Sequence, residues 1–173
     1  MKRFILVALI GVFILFLNIY NIPMKSTDPF ENVDLTPSLN TNNVSIDINS
    51  ISKVINQTSS KTVDFNQYDT VVVTFWATWC TSCRRENAIV NDIIKNNEYT
   101  STYFIGICVD SDDTAMDRYL AINPLQFDSF NINKDIANLF GNVSVVPTHY
   151  IIDMLAKTVT KHIGLLDHKQ FLN

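Results

Sequence analysis

Two cysteines, Cys80 and Cys83, stand three positions apart where a β-branched and aromatic run gives way to a helical pattern. This spacing brings both sulfur atoms within disulfide reach on the first turn of the helix. Cys80 comes first and lies near the positive end of the helix dipole, which favours its thiolate. The pattern therefore predicts thiol-disulfide exchange in which Cys80 attacks and the more buried Cys83 resolves the mixed disulfide.

A cysteine pair at this spacing is also typical of zinc sites and of structural disulfides. Structural zinc needs four ligands, and the sequence contains no second C-x-x-C pair. A purely structural bridge over so short a loop removes little chain entropy. We therefore favour redox chemistry over both uses, and predict neither a bound metal nor a cofactor. The remaining candidate soft ligands are Cys108, His149, His162 and His168.

Two of those residues have alternative interpretations. Cys108 falls late in a predicted strand whose end lies at the same sheet edge as Cys80, but free cysteines are usually inert core residues, and that interpretation is favoured. His149 together with Cys80 and Cys83 offers thiolate and imidazole ligands suited to copper. A histidine packed within a strand is the favoured alternative.

Strands and helices alternate along the second half of the chain. Buried strands are predicted for Thr70–Phe75 and Tyr103–Val109, each followed by a helix, and a closing pair of strands stands close enough to form a hairpin. We therefore expect an α/β fold with a mixed, mostly parallel sheet, helices on both faces and a C-terminal antiparallel hairpin. The other predicted elements are helices at 80–94, 113–122, Lys134–Phe140 and 167–172, and strands at Thr148–Asp153 and Thr158–Ile163.

The first 23 residues have the features of a membrane anchor. Lys2 and Arg3 precede a long apolar run, and no good cleavage motif follows it, which favours an uncleaved helix with the remainder of the chain outside the cytoplasm. Residues 24–60 are predicted to form a polar tether, in which 44–55 adds either a strand or a short helix to the domain edge. Residues 61–173 are predicted to form one domain.

Length and charge limit the possible functions. The chain has 173 residues, which is enough for a single domain with an appendage but not for two full cores. Its formal net charge is −4 at pH 7. Because such a chain lacks the basic field that attracts nucleic acid, nucleic-acid binding is not indicated.

Three segments carry a family resemblance. The string FWATWCTSCRRE at 75–86 resembles the active site of the thioredoxin superfamily, and within it the TlpA/ResA-type and cytochrome c maturation thioredoxins. The strings IGICVD at 105–110 and VVPTHYIID at 145–153 are similar to two further segments of those proteins. The resemblance covers about 61–170 and implies a thioredoxin fold.

The resemblance also implies roles for residues outside the cysteine pair. Pro147 is expected to be a cis-proline that faces the cysteines, and Val146 to offer its backbone to an extended substrate segment. Trp79 is expected to form part of the substrate-binding surface. Glu86 corresponds to an acidic residue that assists proton handling at the cysteines, although a carboxylate early in a helix also compensates the helix dipole.

Two positions depart from the thioredoxin pattern. Thr74 stands where thioredoxin has a buried acid, so a general base from that position is missing. Thr81 and Ser82, between the cysteines, match neither the proline of thioredoxin nor the histidine of strongly oxidising relatives. The direction of electron flow therefore stays open between a reductase and a disulfide-forming oxidase.

The functional hypothesis from the sequence is a membrane-anchored protein disulfide reductase that faces the periplasm or cell exterior. The resemblance implies protein thiol or disulfide substrates such as apocytochrome c, and electrons supplied by a membrane reductant of the DsbD/CcdA kind. Three alternatives remain: a disulfide-forming oxidase, a copper metallochaperone using Cys80, Cys83 and His149, and a module that only binds partners.

Overall fold

The computed structural model describes residues 42–59, 61–98, 100–141 and 143–167. The predicted anchor at 1–23, the first part of the tether and the predicted helical piece near 167–172 lie outside these residues, apart from Asp167. Within the described ranges, no helix is both long enough and apolar enough to span a bilayer.

The described strands form one six-stranded sheet in the order β1-β6-β5-β2-β3-β4. Strands β2, β3 and β4 run parallel, whereas β5 is antiparallel to β2 and pairs with β6 as the predicted hairpin. The strands are β1 (Asn42–Asn43), β2 (Thr70–Trp76), β3 (Thr102–Cys108), β4 (Asp128–Asn131), β5 (Thr148–Asp153) and β6 (Thr158–Ile163).

The sheet is mixed, as expected, but parallel pairing does not predominate among the described strands. Two pairings are parallel and three are antiparallel, since β1 adds an antiparallel edge to β6. The sequence prediction lacked this edge because β1 contains only two asparagines, which have no strand-forming pattern. The expectation of a mostly parallel sheet is corrected to this extent.

Helices cover both faces of the sheet. On one face, α1 (Ile48–Thr58) and α4 (Lys134–Phe140) pack against the main apolar core of β2, β3 and β5. On the other face, α2 (Thr81–Lys95) and α3 (Ala115–Leu120) lie over the side chains that β2 and β3 direct the opposite way. The alternation of side chains along each strand thus separates the main core from two smaller clusters on the α2 face. The cysteine pair belongs to one of these smaller clusters.

The segment left undecided between strand and helix is mainly helical. Asp47 caps α1 by accepting from the Ser50 N–H at 2.9 Å, and Ile51 and Ile55 bury one face of the helix in the main core. Of the two alternatives left open for 44–55, the helix is the one observed. The spacing of these isoleucines allows a short amphipathic helix to bury its apolar face.

Strand β4 was not predicted from the sequence. Its residues are only half-buried and lie at the sheet edge, so Asp128–Asn131 shows no apolar run. The helix and strand limits predicted for the rest of the domain agree with the structure within a few residues. Helix α4 ends at Gly141, whose φ of 74° suits glycine at a helix end.

Gly106 of β3 leaves room for the side chains beside it. A Cβ at this position would lie 2.8 Å from Ser129 Oγ and 2.9 Å from Trp76 Nε1, atoms that are hydrogen-bonded to each other. We expect Gly106→Ala to lower the free energy of unfolding by about 1–3 kcal/mol through overpacking. Denaturant unfolding measures this loss, and Thr81→Ala on the exposed start of α2 serves as the control. An unchanged midpoint for Gly106→Ala would show that the site can expand.

Candidate active site

The cysteine pair lies where β2 passes into α2. Cys80 is the N-cap residue of α2, and its Sγ accepts a hydrogen bond from the Cys83 N–H at 3.1 Å. The two sulfurs are bonded at 2.09 Å, with 5.3 Å between the Cα atoms. Cys80 is 6% exposed and Cys83 1% exposed, so Cys80 is the more accessible sulfur.

Two hydrogen-bond donors at the start of α2 lie close to Cys80 Sγ. Besides the Cys83 N–H, the Ser82 hydroxyl lies 3.3 Å from Cys80 Sγ. Both groups are able to donate to a thiolate at this sulfur, and the helix dipole adds to their effect. The local structure of α2 therefore favours ionisation of Cys80 in the reduced state.

A cis peptide bond between Val146 and Pro147 faces the bridge, as predicted. The Val146 carbonyl oxygen lies 3.8 Å from Cys80 Sγ, and Val146 packs against the cluster that holds both cysteines. The Pro147 carbonyl accepts from Gly164 N–H at 2.9 Å, which ties the start of β5 to the end of β6. The backbone before β5 is thus held beside the reactive sulfur.

Exposed apolar side chains flank the bridge. Trp79, directly before Cys80, is 69% exposed, and Val145, directly before Val146, is 51% exposed. Both side chains therefore belong to the exposed surface next to residues of the site. Trp76 instead is buried beneath the site and donates to Ser129 Oγ at 3.0 Å.

Cys108 lies at the end of β3, beside Trp76 in the strand register. It is buried in the same cluster as the two bridged cysteines, and its thiol donates to Asp110 Oδ2 at 3.3 Å. Burial raises the pKa of the Cys108 thiol to about 12. Cys108 is therefore a protonated core residue at neutral pH, consistent with the favoured interpretation of the sequence.

Glu86 is buried on α2, one turn after Cys83. Its Oε1 accepts from the Leu166 N–H at 2.9 Å, and its Oε2 lies 3.3 Å from His149 Nε2. A carboxylate that only compensated the helix dipole would be solvated, so this burial does not fit that alternative. Glu86 instead joins α2 to β5 and to the segment after β6.

His149 is fully buried, and both of its ring nitrogens have protein partners. Nδ1 lies 2.9 Å from Thr74 Oγ1, and Nε2 lies 3.0 Å from the Gly164 carbonyl oxygen as well as near Glu86. A copper site shared with the cysteines would need a ring nitrogen directed at the sulfurs. This arrangement gives the copper alternative no support.

A sequence model of the AhpC/TSA family matches residues 47–161, about two thirds of the chain. The chain belongs to the AhpC/TSA family.

Curated relatives of this AhpC/TSA family member are named as thiol-disulfide exchange proteins. Over 100 residues it is 32% identical to the thiol:disulfide interchange protein DsbE of Pseudomonas fluorescens biotype C, covering 56% of this chain and 52% of that protein. Over 95 residues it is 27% identical to the thiol-disulfide oxidoreductase ResA of Bacillus anthracis, covering 54% of each. The chain thus spans about half the length of the curated relatives it matches.

Solved structures agree on the fold. StoA from Bacillus subtilis superposes with a TM-score of 0.54 at 15% identity, over 62% of this chain and 85% of that one. A DsbE-type interchange protein from Chlorobium tepidum gives 0.52 at 22% identity, over 61% and 79%. This AhpC/TSA family member therefore has the predicted thioredoxin fold.

The structure brings the sequence-predicted residues together at one end of the sheet. Cys80 and Cys83 are bonded to each other, and the Val146 carbonyl lies beside Cys80. Pro147 follows Val146 through the cis bond, and Trp79 directly precedes Cys80. Sequence reasoning missed Asp110, whose buried carboxylate accepts from Thr78 N–H at 3.0 Å and from Cys108. Its place just after β3, at the edge where parallel strands end, was the available signal.

Proposed function

We propose that this protein exchanges disulfides with other proteins through Cys80 and Cys83 and works as a protein disulfide reductase. The observation that carries the proposal is the placement of Cys80: it caps α2, is the more exposed sulfur of the bridge and faces the Val146 carbonyl. The names of the curated relatives, DsbE and ResA, support the same class of reaction.

The roles of the two cysteines follow from their positions. In the reduced protein, the Cys80 thiolate attacks one sulfur of a substrate disulfide, and the other substrate sulfur leaves as a thiol after taking up a proton. The Cys83 thiol then loses its proton and attacks Cys80, which releases the second substrate thiol. The protein ends as the disulfide, and the substrate has gained two electrons and two protons.

Substrate is proposed to bind as an extended segment beside the bridge. The backbone at Val146 is available there for hydrogen bonding, Pro147 holds the turn into β5, and the indole of Trp79 offers an apolar surface. Backbone recognition of this kind suits a protein that acts on several partners, because it does not depend on the partner's side chains.

The wider setting is also a proposal. Residues 1–23 are proposed to anchor the chain in the inner membrane, 24–41 to act as a tether, and the domain to face the periplasm or cell exterior. The apolar run after Lys2 and Arg3 supports this orientation. Apocytochrome c as a substrate and a DsbD/CcdA-type membrane reductant as the electron donor are carried over from the resemblance.

The midpoint potential of the Cys80–Cys83 pair tests the direction of electron flow. For the full-length protein equilibrated in dithiothreitol mixtures, we expect a value near or below that of thioredoxin, about −270 mV. Cys83→Ser, which has no two-electron couple, is the control. A value near about −120 mV would make the protein a disulfide donor and overturn the reductase assignment.

A further inference from the structure

A row of polar side chains crosses the sheet beneath α2. Thr74 of β2 is in register with His149 of β5, and His149 is in register with His162 of β6. Glu86 of α2 lies above His149, with Oε2 at 3.3 Å from Nε2. A buried polar group is costly unless it has partners, and Thr74, His149 and Glu86 are partners of one another.

We propose that His149 is a positioning residue of the redox site, which holds the Glu86 carboxylate one helical turn from Cys83 so that this carboxylate takes the proton that Cys83 gives up. This inference rests on the proposed function, because it assigns a role within disulfide exchange. It adds His149 and Thr74 to the proton handling of the site, for which the sequence indicated only Glu86.

The contacts determine which nitrogen of His149 carries a proton. The two groups beside Nε2 are the Gly164 carbonyl oxygen and the Glu86 carboxylate, and both are acceptors. Nε2 is therefore the protonated nitrogen, and it donates toward these oxygens. Nδ1 is then the acceptor nitrogen, and it faces the Thr74 hydroxyl.

Thr74 supports this tautomer of His149. Its hydroxyl lies 2.9 Å from Nδ1 and donates to the lone pair of that nitrogen. Valine at this position would leave Nδ1 without a donor. The Thr74 hydroxyl thus helps to keep the Nε2 hydrogen directed at Glu86.

Glu86 and Cys83 share a face of α2. They stand three residues apart, which places their side chains as neighbours on a helix, and both are buried. In the resolving step, the Cys83 thiol gives its proton to the Glu86 carboxylate that His149 holds, and the resulting thiolate forms a bond to Cys80. The bond from Cys80 to the substrate sulfur breaks, the departing thiolate takes a proton from water, and Glu86 later returns its proton to solvent.

The other titratable neighbour of His149 is His162. The ring centroids are 5.9 Å apart, and His162 Nε2 donates to the Leu165 carbonyl at 2.9 Å. Of the other elements around His149, α2 carries the cysteine pair and Glu86, and β2 carries Thr74. Asp167 is the last described residue after β6. Because His162 Nε2 is engaged by the Leu165 carbonyl, Glu86 is the titratable group that faces His149 Nε2.

The test separates the two chemical steps by using oxidised glutathione on the reduced full-length protein. The first attack becomes faster as the concentration of oxidised glutathione rises, whereas resolution by Cys83 does not depend on it. The overall rate therefore reaches a plateau that equals the rate of resolution. We expect His149→Gln and Thr74→Val each to lower this plateau rate about tenfold or more at pH 7. The first attack should change much less, as measured by acid quenching and mass spectrometry.

The pH profile provides a readout that a structural role would not alter. With Glu86 no longer held in place as the proton acceptor for Cys83, resolution in His149→Gln should rise about tenfold per pH unit across neutral pH, whereas the wild-type rate should rise less steeply. Thr74→Ser keeps the hydroxyl and should restore wild-type behaviour. Because Thr74→Val conserves side-chain shape, it tests the same chain of contacts if His149→Gln does not fold.

Two results would overturn the inference in distinguishable ways. If Glu86→Gln slows resolution but His149→Gln and Thr74→Val retain the wild-type rate and pH profile, His149 only packs against the site and the proposed function stands. If the wild-type protein forms no mixed disulfide with glutathione at all, the proposed function fails and this inference fails with it.

Discussion

Replacing Cys80 by serine is expected to lower the rate of disulfide exchange more than about a thousandfold, because the protein loses its attacking thiolate. Cys83 does not substitute for it, since this sulfur is 1% exposed and lies behind Cys80 on the first turn of α2. Reduction of a disulfide-bonded protein such as insulin, followed by turbidity in the presence of excess dithiol, measures the loss against the uncatalysed background.

Cys83→Ser is the matched control, because it keeps the nucleophile and removes only the resolving thiol. We expect this variant to form a stable mixed disulfide with substrate in a one-to-one ratio, visible on a non-reducing gel and absent for Cys80→Ser. The opposite result, in which Cys83→Ser turns over and Cys80→Ser traps substrate, would reverse the assigned roles of the two cysteines.

Cys108 is expected to resist alkylation in the folded protein about a thousandfold more strongly than an ordinary thiol at pH 8. Burial raises its pKa to about 12, so its thiolate is scarce at this pH, and the apolar cluster around it blocks the reagent. With the Cys80–Cys83 bridge intact, Cys108 is the one remaining thiol of the chain's three cysteines. Mass spectrometry after iodoacetamide treatment therefore reports on it alone.

The same protein in denaturant is the control, and there Cys108 should react at the rate of a free thiol. Rapid alkylation of the folded protein would show that the cluster opens readily to solvent. The pKa also determines a pH dependence: above about pH 9 the unfolded thiol loses its proton while the folded thiol keeps it. The unfolded state then binds fewer protons, so the contribution of Cys108 to stability should fall as pH rises from about 9 towards 12.

The fold was largely predictable from local pattern. The β-branched run of β2 and the helical spacing after Cys80 predicted their elements within about one residue of the observed limits. Strand β4 and the edge strand β1 were not predictable in this way, because they are short and polar and are strands only by pairing with β3 and β6.

The sequence by itself determined the reactive centre: two cysteines on one helical turn, and a motif proline that the resemblance placed opposite them. Only the tertiary structure decided the surroundings of Glu86. Thr74, Glu86 and His149 lie on three different elements, and the sheet register and the packing of α2 bring them together. Covalent spacing along the chain specifies chemistry within one helical turn, whereas a buried hydrogen-bond network exists only once distant strands have paired and excluded water.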